Sequence, residues 1–448
     1  MKVVVIDDDP TGSQTVHGCP LLLRWDPLTL QQSLRHRSPL VFLLADTRSL
    51  EPAQAAACNR DIAANLDVAL QAEGLQRNDV QLVSRGDSTL RGHGVLEPQV
   101  LHDCFGPFDA TLHVPAFLEG GRTTVNGVHL LHGEPVHLSP FAKDRLFAYG
   151  TSDLAAWLEE KSAGVIQADA VQQLSGQDLD QASSGGLEGL LARLSSFHAN
   201  AAVVVDAERP QQLAVLAAAV GLLQQEKRFL FRSAASLVKA LADPGPQPLD
   251  ADGLAGLRRR SPSGAPWPGL VMVGSYVPLA DQQLTCLLDD ADCQGIELPV
   301  RRLARVFNGP TPDWLLQDLQ RDWQQQIAEV LDQNRTPVLY TSRGELCFGS
   351  EAEGRRFSRE LAALMGRLAA AVAPRLGYLI SKGGITTQTL LSRGLALDSV
   401  QLEGQLLPGL SMVRPTTGPL ADLPILTFPG NLGSAGTLLE AWQRMQAG

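Results

Sequence analysis

The sequence predicts an α/β fold, drawn as two α/β domains with largely parallel sheets, and three observations predict it. Short β-branched runs alternate with longer helical stretches, the signature of strand–helix–strand units. The first run, 3–6, is continuously apolar and too short for a helix, as a strand buried on both faces must be. A Pro- and Gly-dense stretch, 243–269, then interrupts the alternation before it resumes.

Taken in order, 3–6, 40–44, 81–84, 111–114 and 201–205 read as strands. Residues 53–73 and 184–197 read as helices between them. The interruption contains Asp-Pro-Gly-Pro-Gln-Pro and Ser-Pro-Ser-Gly-Ala-Pro-Trp-Pro, a composition suited to an inter-domain connection. Beyond it, 270–273, 338–340, 378–380 and 425–427 read as strands, with helices at 314–333 and 355–373. The domains are therefore drawn at 1–240 and 269–448, joined by 241–268. A length of 448 residues suits two or three domains.

Bulk properties exclude several function classes. A formal net charge of -11 argues against a nucleic-acid partner, since phosphate backbones select clustered Lys and Arg. No apolar stretch approaches the ~18 residues that span a bilayer. The opening apolar run gives way at once to three aspartates, which is not a secretory leader, and the reading is cytoplasmic. The six cysteines match no zinc template and suit reduced thiols. All nine histidines lie at or before His198, so any histidine chemistry belongs to the first domain.

Polar, Gly-bearing segments follow the strands, where open α/β sheets place ligands. The first strand ends in Asp7-Asp8-Asp9-Pro10-Thr11-Gly12-Ser13. Adjacent acids repel, and a cation or a substrate hydroxyl would relieve them; a solvated turn with Asp9 as a cap fits the same residues. Arg85-Gly86-Asp87-Ser88-Thr89-Leu90-Arg91-Gly92, followed by Glu97, sets two guanidinium groups, an acid and two hydroxyls around glycines. Arg suits bidentate capture of a carboxylate, while Asp87 and Ser88 could equally cap a helix. The segment from Pro115 to Gly127 holds Gly120, Gly121, Arg122 and Asn126, and Asn126-Gly127 is also a plain hairpin signal. Together the three suggest one shared pocket.

The second domain repeats the device. Gly274-Ser275, then Ser381-Lys382-Gly383-Gly384-Ile385-Thr386, then Gly430-Asn431-Leu432-Gly433 each close a strand, where glycines let backbone N–H groups approach phosphate. Lys382 could touch a phosphate or stand in solvent. No Gly-Lys-Ser/Thr phosphate loop and no Gly-x-Gly-x-x-Gly after the first strand is present, which weakens the common nucleotide readings.

In this order the segments resemble the four-carbon acid sugar kinase family, which includes threonate, erythronate and 3-oxo-tetronate kinases. Asp8, Asp9, Thr11 and Gly12 match its Asp-Asp-x-Thr-Gly-Ala opening, with Ser13 in place of alanine. Asp87, Ser88, Thr89, Leu90, Arg91 and Gly92 match its Asp-Ser-Thr and Leu-Arg-Gly. Pro115, Ala116, Phe117, Gly121, Arg122, Thr123 and Gly127 match its third signature, and Gly274-Ser275 and Gly383-Gly384 match its later ones. Two positions depart: Phe428 and Pro429 stand where many members have Lys-Ser, and Ile385 replaces an acidic residue.

The resemblance implies an ATP-dependent kinase acting on a hydroxyl of a sugar acid, with an inter-domain active-site cleft, an N-terminal acid-sugar-binding domain and a C-terminal nucleotide-binding domain. It implies Asp8 or Asp87 as the group that orients or deprotonates the attacking hydroxyl. Asp9, Thr11, Gly12, Arg85, Ser88, Thr89, Arg91, Gly92, Arg122 and Asn126 would bind the sugar acid, Arg91 taking its carboxylate. Ser275, Lys382, Gly383, Gly384, Thr386, Gly430, Asn431 and Gly433 would bind ATP. Mg²⁺ would accompany the nucleotide with Asp9 as an outer ligand and no protein residue assigned as a direct one. A non-catalytic sensor of sugar acids or nucleotides and an NAD-dependent dehydrogenase are the competing readings. A homo-oligomer stays open.

Overall fold

The computed structural model describes residues 1–9, 16–275, 277–309, 313–343, 346 and 348–448. It divides into two units, residues 1–245 and 246–448.

In the first unit, β1 Lys2–Asp7, β2 Cys19–Leu22, β3 Leu40–Leu44, β4 Val80–Arg85 and β5 Ala110–Val114 precede a small antiparallel sheet of β6 Arg122–Val125, β7 Val128–Leu131 and β8 Glu134–Pro135. Then come β9 Gln172–Leu174, β10 Ala201–Val205 and β11 Phe229–Ser233. All but β6–β8 form a parallel sheet ordered β2-β3-β1-β4-β11-β5-β10-β9. The chain moves to β3 on one side of β1 and to β4 on the other, so the switch in direction lies between β1 and β4. A crevice at the carboxyl ends of those strands is the natural ligand position.

The strands expected at 3–6, 40–44, 81–84, 111–114 and 201–205 all form, three of them longer by a residue at one or both ends. Their apolar sides bury Val4, Ile6, Val41 and Leu82 beneath the helix Pro52–Ala72, which lays Ile62, Leu66 and Leu70 on the sheet. Pro52 suits that helix's first turn, because its fixed φ is already helical and its missing N–H would be unpaired there. The helix expected over 184–197 is instead two, Gly176–Gly185 and Glu188–Ser195. Gly186 separates them at φ +109°, a conformation no L-residue adopts readily. The most central strand the sequence hides is β11. It inserts between β4 and β5, and Arg232 interrupts its apolar run.

In the second unit, β12 Leu270–Val273, β13 Cys293–Leu298, β14 Thr336–Thr341, β15 Leu379–Lys382, β16 Ser399–Leu407, β17 Leu410–Arg414 and β18 Ile425–Phe428 lie in the order β13-β14-β12-β15-β18-β17-β16. The pairs from β13 to β18 are parallel, while β17 runs antiparallel to both β18 and β16. Here too the order switches, between β12 and β15. Expected helices appear as Asp313–Asp332 and Glu351–Val372. The segment read as a connection, 241–268, is folded from 246 onward. It carries the helix Ala251–Ala255, and Leu254 and Ala255 sit in the same core as Val271, Ile380 and Trp442. Arg258 ties this segment down by donating to the carbonyls of Trp267, Met445 and Gln446.

No described helix is long and apolar enough to cross a membrane. The described cysteines Cys19, Cys58, Cys104, Cys286 and Cys293 are unbridged.

Candidate functional site

The carboxyl ends of β1, β4 and β11 are in register, with Asp7 opposite Arg85 and Arg85 opposite Ser233. The chain leaving β1 therefore delivers Asp8 and Asp9 beside the loop leaving β4. Asp8 is held by backbone bonds on both sides, its N–H donating to the Arg85 carbonyl at 3.2 Å and its carbonyl accepting from Arg48 N at 3.1 Å.

Arg48 is the hub that the sequence did not disclose. It follows β3, and its guanidinium reaches Asp8 Oδ1 at 2.6 Å, Asp9 Oδ2 at 2.6 Å and Asp87 Oδ1 at 4.0 Å. A second unanticipated cation, Arg232 on β11, lies 3.6 Å from Asp8, 2.5 Å from Glu97 and 2.8 Å from Ser84 Oγ. Gly86 makes room for it, since a Cβ there would lie 2.3 Å from Arg232 Nη2. Neither arginine belongs to a local motif. Only the sheet order brings them in.

The loop 85–92 is fixed by its neighbours. Tyr149 Oη donates to the Thr89 carbonyl at 2.7 Å, and His129 Nε2 lies 2.8 Å from the Ser88 carbonyl. Leu90 adopts φ +66° and Gly92 φ +94°. A Cβ on Gly92 would stand 2.9 Å from Asp8 Oδ2, so glycine keeps the space beside that carboxylate open. Arg91 Nε donates to Asp87 Oδ2 at 2.7 Å, its guanidinium lies 4.9 Å from the centre of the Phe141 ring, and Thr89 Oγ1 also donates to Asp87.

These contacts sort the acids. Burial pushes Asp87 upward, but Arg48, Arg91 and Thr89 overcome it and hold the carboxyl well below the usual range. Asp7, fully buried, is pushed up to about 7 by desolvation, which Arg85 only partly offsets. Burial, with Asp9 beside it, also raises Asp46 to about 7. Desolvation raises Glu97 and lowers His113 and His129, the latter two to about 3 and about 4, so both imidazoles are neutral.

The third cluster is the hairpin its Asn-Gly predicts. Asn126 and Gly127, at φ +50° and +78°, turn β6 into β7, as a type I′ turn requires. Their N–H groups donate to the two oxygens of Asp206 at 3.0 and 2.8 Å, another partner invisible in sequence. The Asn126 side chain is exposed. Arg122 Nη1 donates to the Gly120 carbonyl at 2.5 Å, and the guanidinium lies 5.6 Å from the Phe117 ring centre.

In the second unit, Val273, Lys382 and Phe428 share one row of the sheet, so the three glycine turns leave it side by side. A Cβ at Gly274 would fall 2.0 Å from Thr386 Oγ1, one at Gly430 3.0 Å from Ser275 Oγ, and one at Gly383 3.4 Å from Ser275 N. Gly383 adopts φ +118°. Gly433, at φ +82°, would strike Thr437, and Gly384 faces open space. Ser275, Gly383, Thr386 and Gly430 thus come together, while Asn431 and Gly433 lie exposed further along their turn. Gln283 supports that turn through the carbonyls of Leu432 and Ser434. Arg343 grips Asp281 and the Ser275 carbonyl, both at 2.8 Å. Gln283 lies inside the helix Pro278–Leu288 and Arg343 just past β14, so neither falls in the motifs singled out above.

Two of the expected site residues have partners within the protein. Lys382 is not solvated: it is fully buried, donates to the Pro429 and Gly430 carbonyls at 3.1 Å and stands 3.9 Å from the Phe428 ring centre. Burial lowers it to about 8. It braces the turn, and a phosphate would have to displace those bonds. Arg85 pairs with buried Asp7 at 3.1 Å through Nη1, while its Nε is buried without a hydrogen-bond partner. Thr11 and Gly12 lie outside the described residues.

Residues 3–241 match the sugar-binding N-terminal domain family, and residues 270–438 match the nucleotide-binding C-terminal domain family. The chain is 29% identical over 420 residues to a D-threonate kinase of Cupriavidus necator, covering 89% of this chain and 86% of that protein. It is 26% identical to a D-erythronate kinase of Heliobacterium modesticaldum, covering 97% and 94%. Among solved structures, Haemophilus influenzae protein HI1011 superposes with a TM-score of 0.68 at 18% identity over 99% of both chains, a likeness of fold. With the first family model spanning more than half its length, and with its kinase relatives aligned almost end to end, the chain belongs to the four-carbon acid sugar kinase family.

Proposed function

We propose that this protein transfers the γ-phosphoryl group of ATP to a hydroxyl of a four-carbon sugar acid such as threonate or erythronate, in the cytoplasm. The observation that carries the proposal is the meeting of Asp8, Asp87 and Arg91 at the switch point of the first sheet. There two carboxylates can accept from a polyol while a guanidinium takes an acid.

Phosphoryl transfer needs positioning and charge neutralisation more than covalent chemistry. Asp87, held anionic by Arg48 and Arg91, suits orientation of the hydroxyl by accepting its hydrogen bond. That leaves Asp8, beside the gap that Gly92 keeps open, as the acceptor of the proton released. Arg91, Ser88 and Arg122 hold the sugar acid in this reading. The Ser275, Gly383 and Gly430 turns fit a polyphosphate, because backbone without Cβ atoms lines their meeting point. Mg²⁺ fits as an ion carried by the nucleotide, with Asp9 as an outer partner, and when bound it supplies neutralisation of phosphate charge.

The decisive experiment is an ATP-consumption screen with D- and L-threonate, D- and L-erythronate and their 3-oxo relatives. At least one acid should stimulate turnover well above the ATP-only rate. Saturable binding of an acid without any turnover would instead mark a sensor, and stimulation by none with no binding would remove the sugar-acid reading.

A further inference from the structure

Glu97 stands behind both of the cations that flank Asp8. It lies in the first turn of the helix Leu96–Phe105 and is buried. Its Oε2 accepts from Arg232 Nη1 at 2.5 Å, and its Oε1 accepts from Thr47 Oγ1. Thr47, also buried, opens the short turn Thr47–Ser49 that carries Arg48. One carboxylate therefore anchors the arginine of β11 directly and the arginine after β3 through a single neighbour.

The two oxygens of Asp8 are not equivalent. Oδ1 is taken by Arg48 Nη2 at 2.6 Å. Among the described residues, Oδ2 has Arg48 Nε at 3.4 Å and Arg232 Nη2 at 3.6 Å, the latter beyond hydrogen-bond reach. Oδ2 is also the oxygen beside the space that Gly92 leaves open. Whether it stays free depends on where Arg232 is held.

Two carboxylates compete for that guanidinium. Attraction between charges falls with separation, so Glu97 at 2.5 Å outweighs Asp8 at 3.6 Å. Ser84 Oγ accepts from the same Nη1 at 2.8 Å, and Gly86 leaves room for the group. A neutral residue at position 97 removes the stronger claim. A buried guanidinium is costly to leave unpaired, so Arg232 is then drawn to Asp8. A charge-assisted bond of ~2.7–2.9 Å there would cap Oδ2. Thr47 would lose its charged acceptor at the same time, which loosens the turn that seats Arg48 on Oδ1.

We infer that Glu97 is a positioning residue for the phosphoryl transfer, holding Arg232 off Asp8 Oδ2 and, through Thr47, seating Arg48 on Oδ1. The inference rests on the kinase reading above, in which Asp8 accepts the proton. Glu97 acts through the two arginines and not on the substrate.

The test is steady-state kinetics of the full chain, with whichever sugar acid stimulates turnover by the wild type. Glu97→Gln keeps the shape and can still accept from Arg232 and donate to Thr47, so it removes the charge alone. It should lower kcat about a hundredfold, the cost of misplacing a group by ~1 Å, with KM for acid and ATP unchanged. Adding Arg232→Gln removes the cation that caps Asp8, so the double variant should regain about tenfold over Glu97→Gln. Thr47→Val should lower kcat about tenfold, the size of one hydrogen bond to a charged group, again at unchanged KM. Thermal melting gives the folded fraction to which each kcat is normalised. A folded Glu97→Gln with wild-type kcat, a loss carried by KM instead, or a double variant no faster than Glu97→Gln overturns the positioning role while the kinase reading stands. Should Glu97→Gln not fold, Thr47→Val decides: a reduced kcat at unchanged KM upholds the role, and a wild-type kcat overturns it. No turnover of any acid by the wild-type chain removes the kinase reading and this role with it.

Discussion

Burial alone would push the Asp87 carboxyl upward, and it is the company of Arg48, Arg91 and Thr89 that keeps it charged. Arg48 carries much of this, because it also faces Asp8 and Asp9. Arg48→Ala leaves those carboxylates without their shared cation, and breaking such a buried pair costs roughly 2–5 kcal/mol. We expect a lower urea midpoint and a kcat/KM reduced at least a hundredfold, with Arg48→Lys recovering part of both; equal stability and activity in Arg48→Ala would refute the hub. Arg91→Ala should raise KM for the acid by a comparable energy, roughly 2–5 kcal/mol in binding, and unchanged KM for every four-carbon acid would end that assignment. Asp46 gives a pH-dependent test. Its folded carboxyl is raised from 3.8 to about 7, so the native state favours the protonated form. The resulting penalty is absent below about pH 4, grows as pH rises toward 7 and is complete above it. Asp46→Asn, which keeps a side chain tolerant of the φ +51° found there, should therefore raise Tm at pH 8 and match the wild type at pH 4. A gain of the same size at both pH values would contradict the assignment.

Motifs at strand ends were legible because they are local: Asp7-Asp8-Asp9, the Arg85–Gly92 loop and the glycine turns each occupy contiguous chain. Elements with a clean apolar run were legible too, and β1, β3, β5, β10 and β12 lie where their Val and Leu runs put them. β11 was not, because a buried Arg232 that pairs with Glu97 reads in sequence as a polar break. β16 was not singled out either, although its alternation of buried and half-buried residues is the ordinary pattern of a strand covered on one face. Helix contacts add a constraint that no periodicity reveals. Gly394 lies so close to the helix Glu351–Val372 that a Cβ there would stand 2.8 Å from Gly366 Cα. Overpacking of this kind costs about 1–3 kcal/mol. Gly394→Ala should lower Tm by several degrees with little change in KM for the sugar acid, as thermal melting and kinetics would show; an unaffected Tm would mean the contact yields freely.

Across the whole chain, each unit places its polar cluster at the point where its own strand order reverses, which is where a parallel sheet leaves a crevice between diverging loops. If the sugar acid binds the first unit and the nucleotide the second, hydrogen exchange should separate them. An acid should slow exchange of amides in 85–92, and a nucleotide those in 274–275 and 382–384; the opposite pattern would invalidate this division of labour. Sequence by itself determined the fold class, the α/β alternation, the order of the motifs and hence the family, since each is written in neighbouring residues. Tertiary structure alone decided that Arg48, Arg232 and Asp206 serve those motifs and that Lys382 braces a turn. Those partners are far apart along the chain, and only the crossing of strands and burial from water make their charges and donors meet.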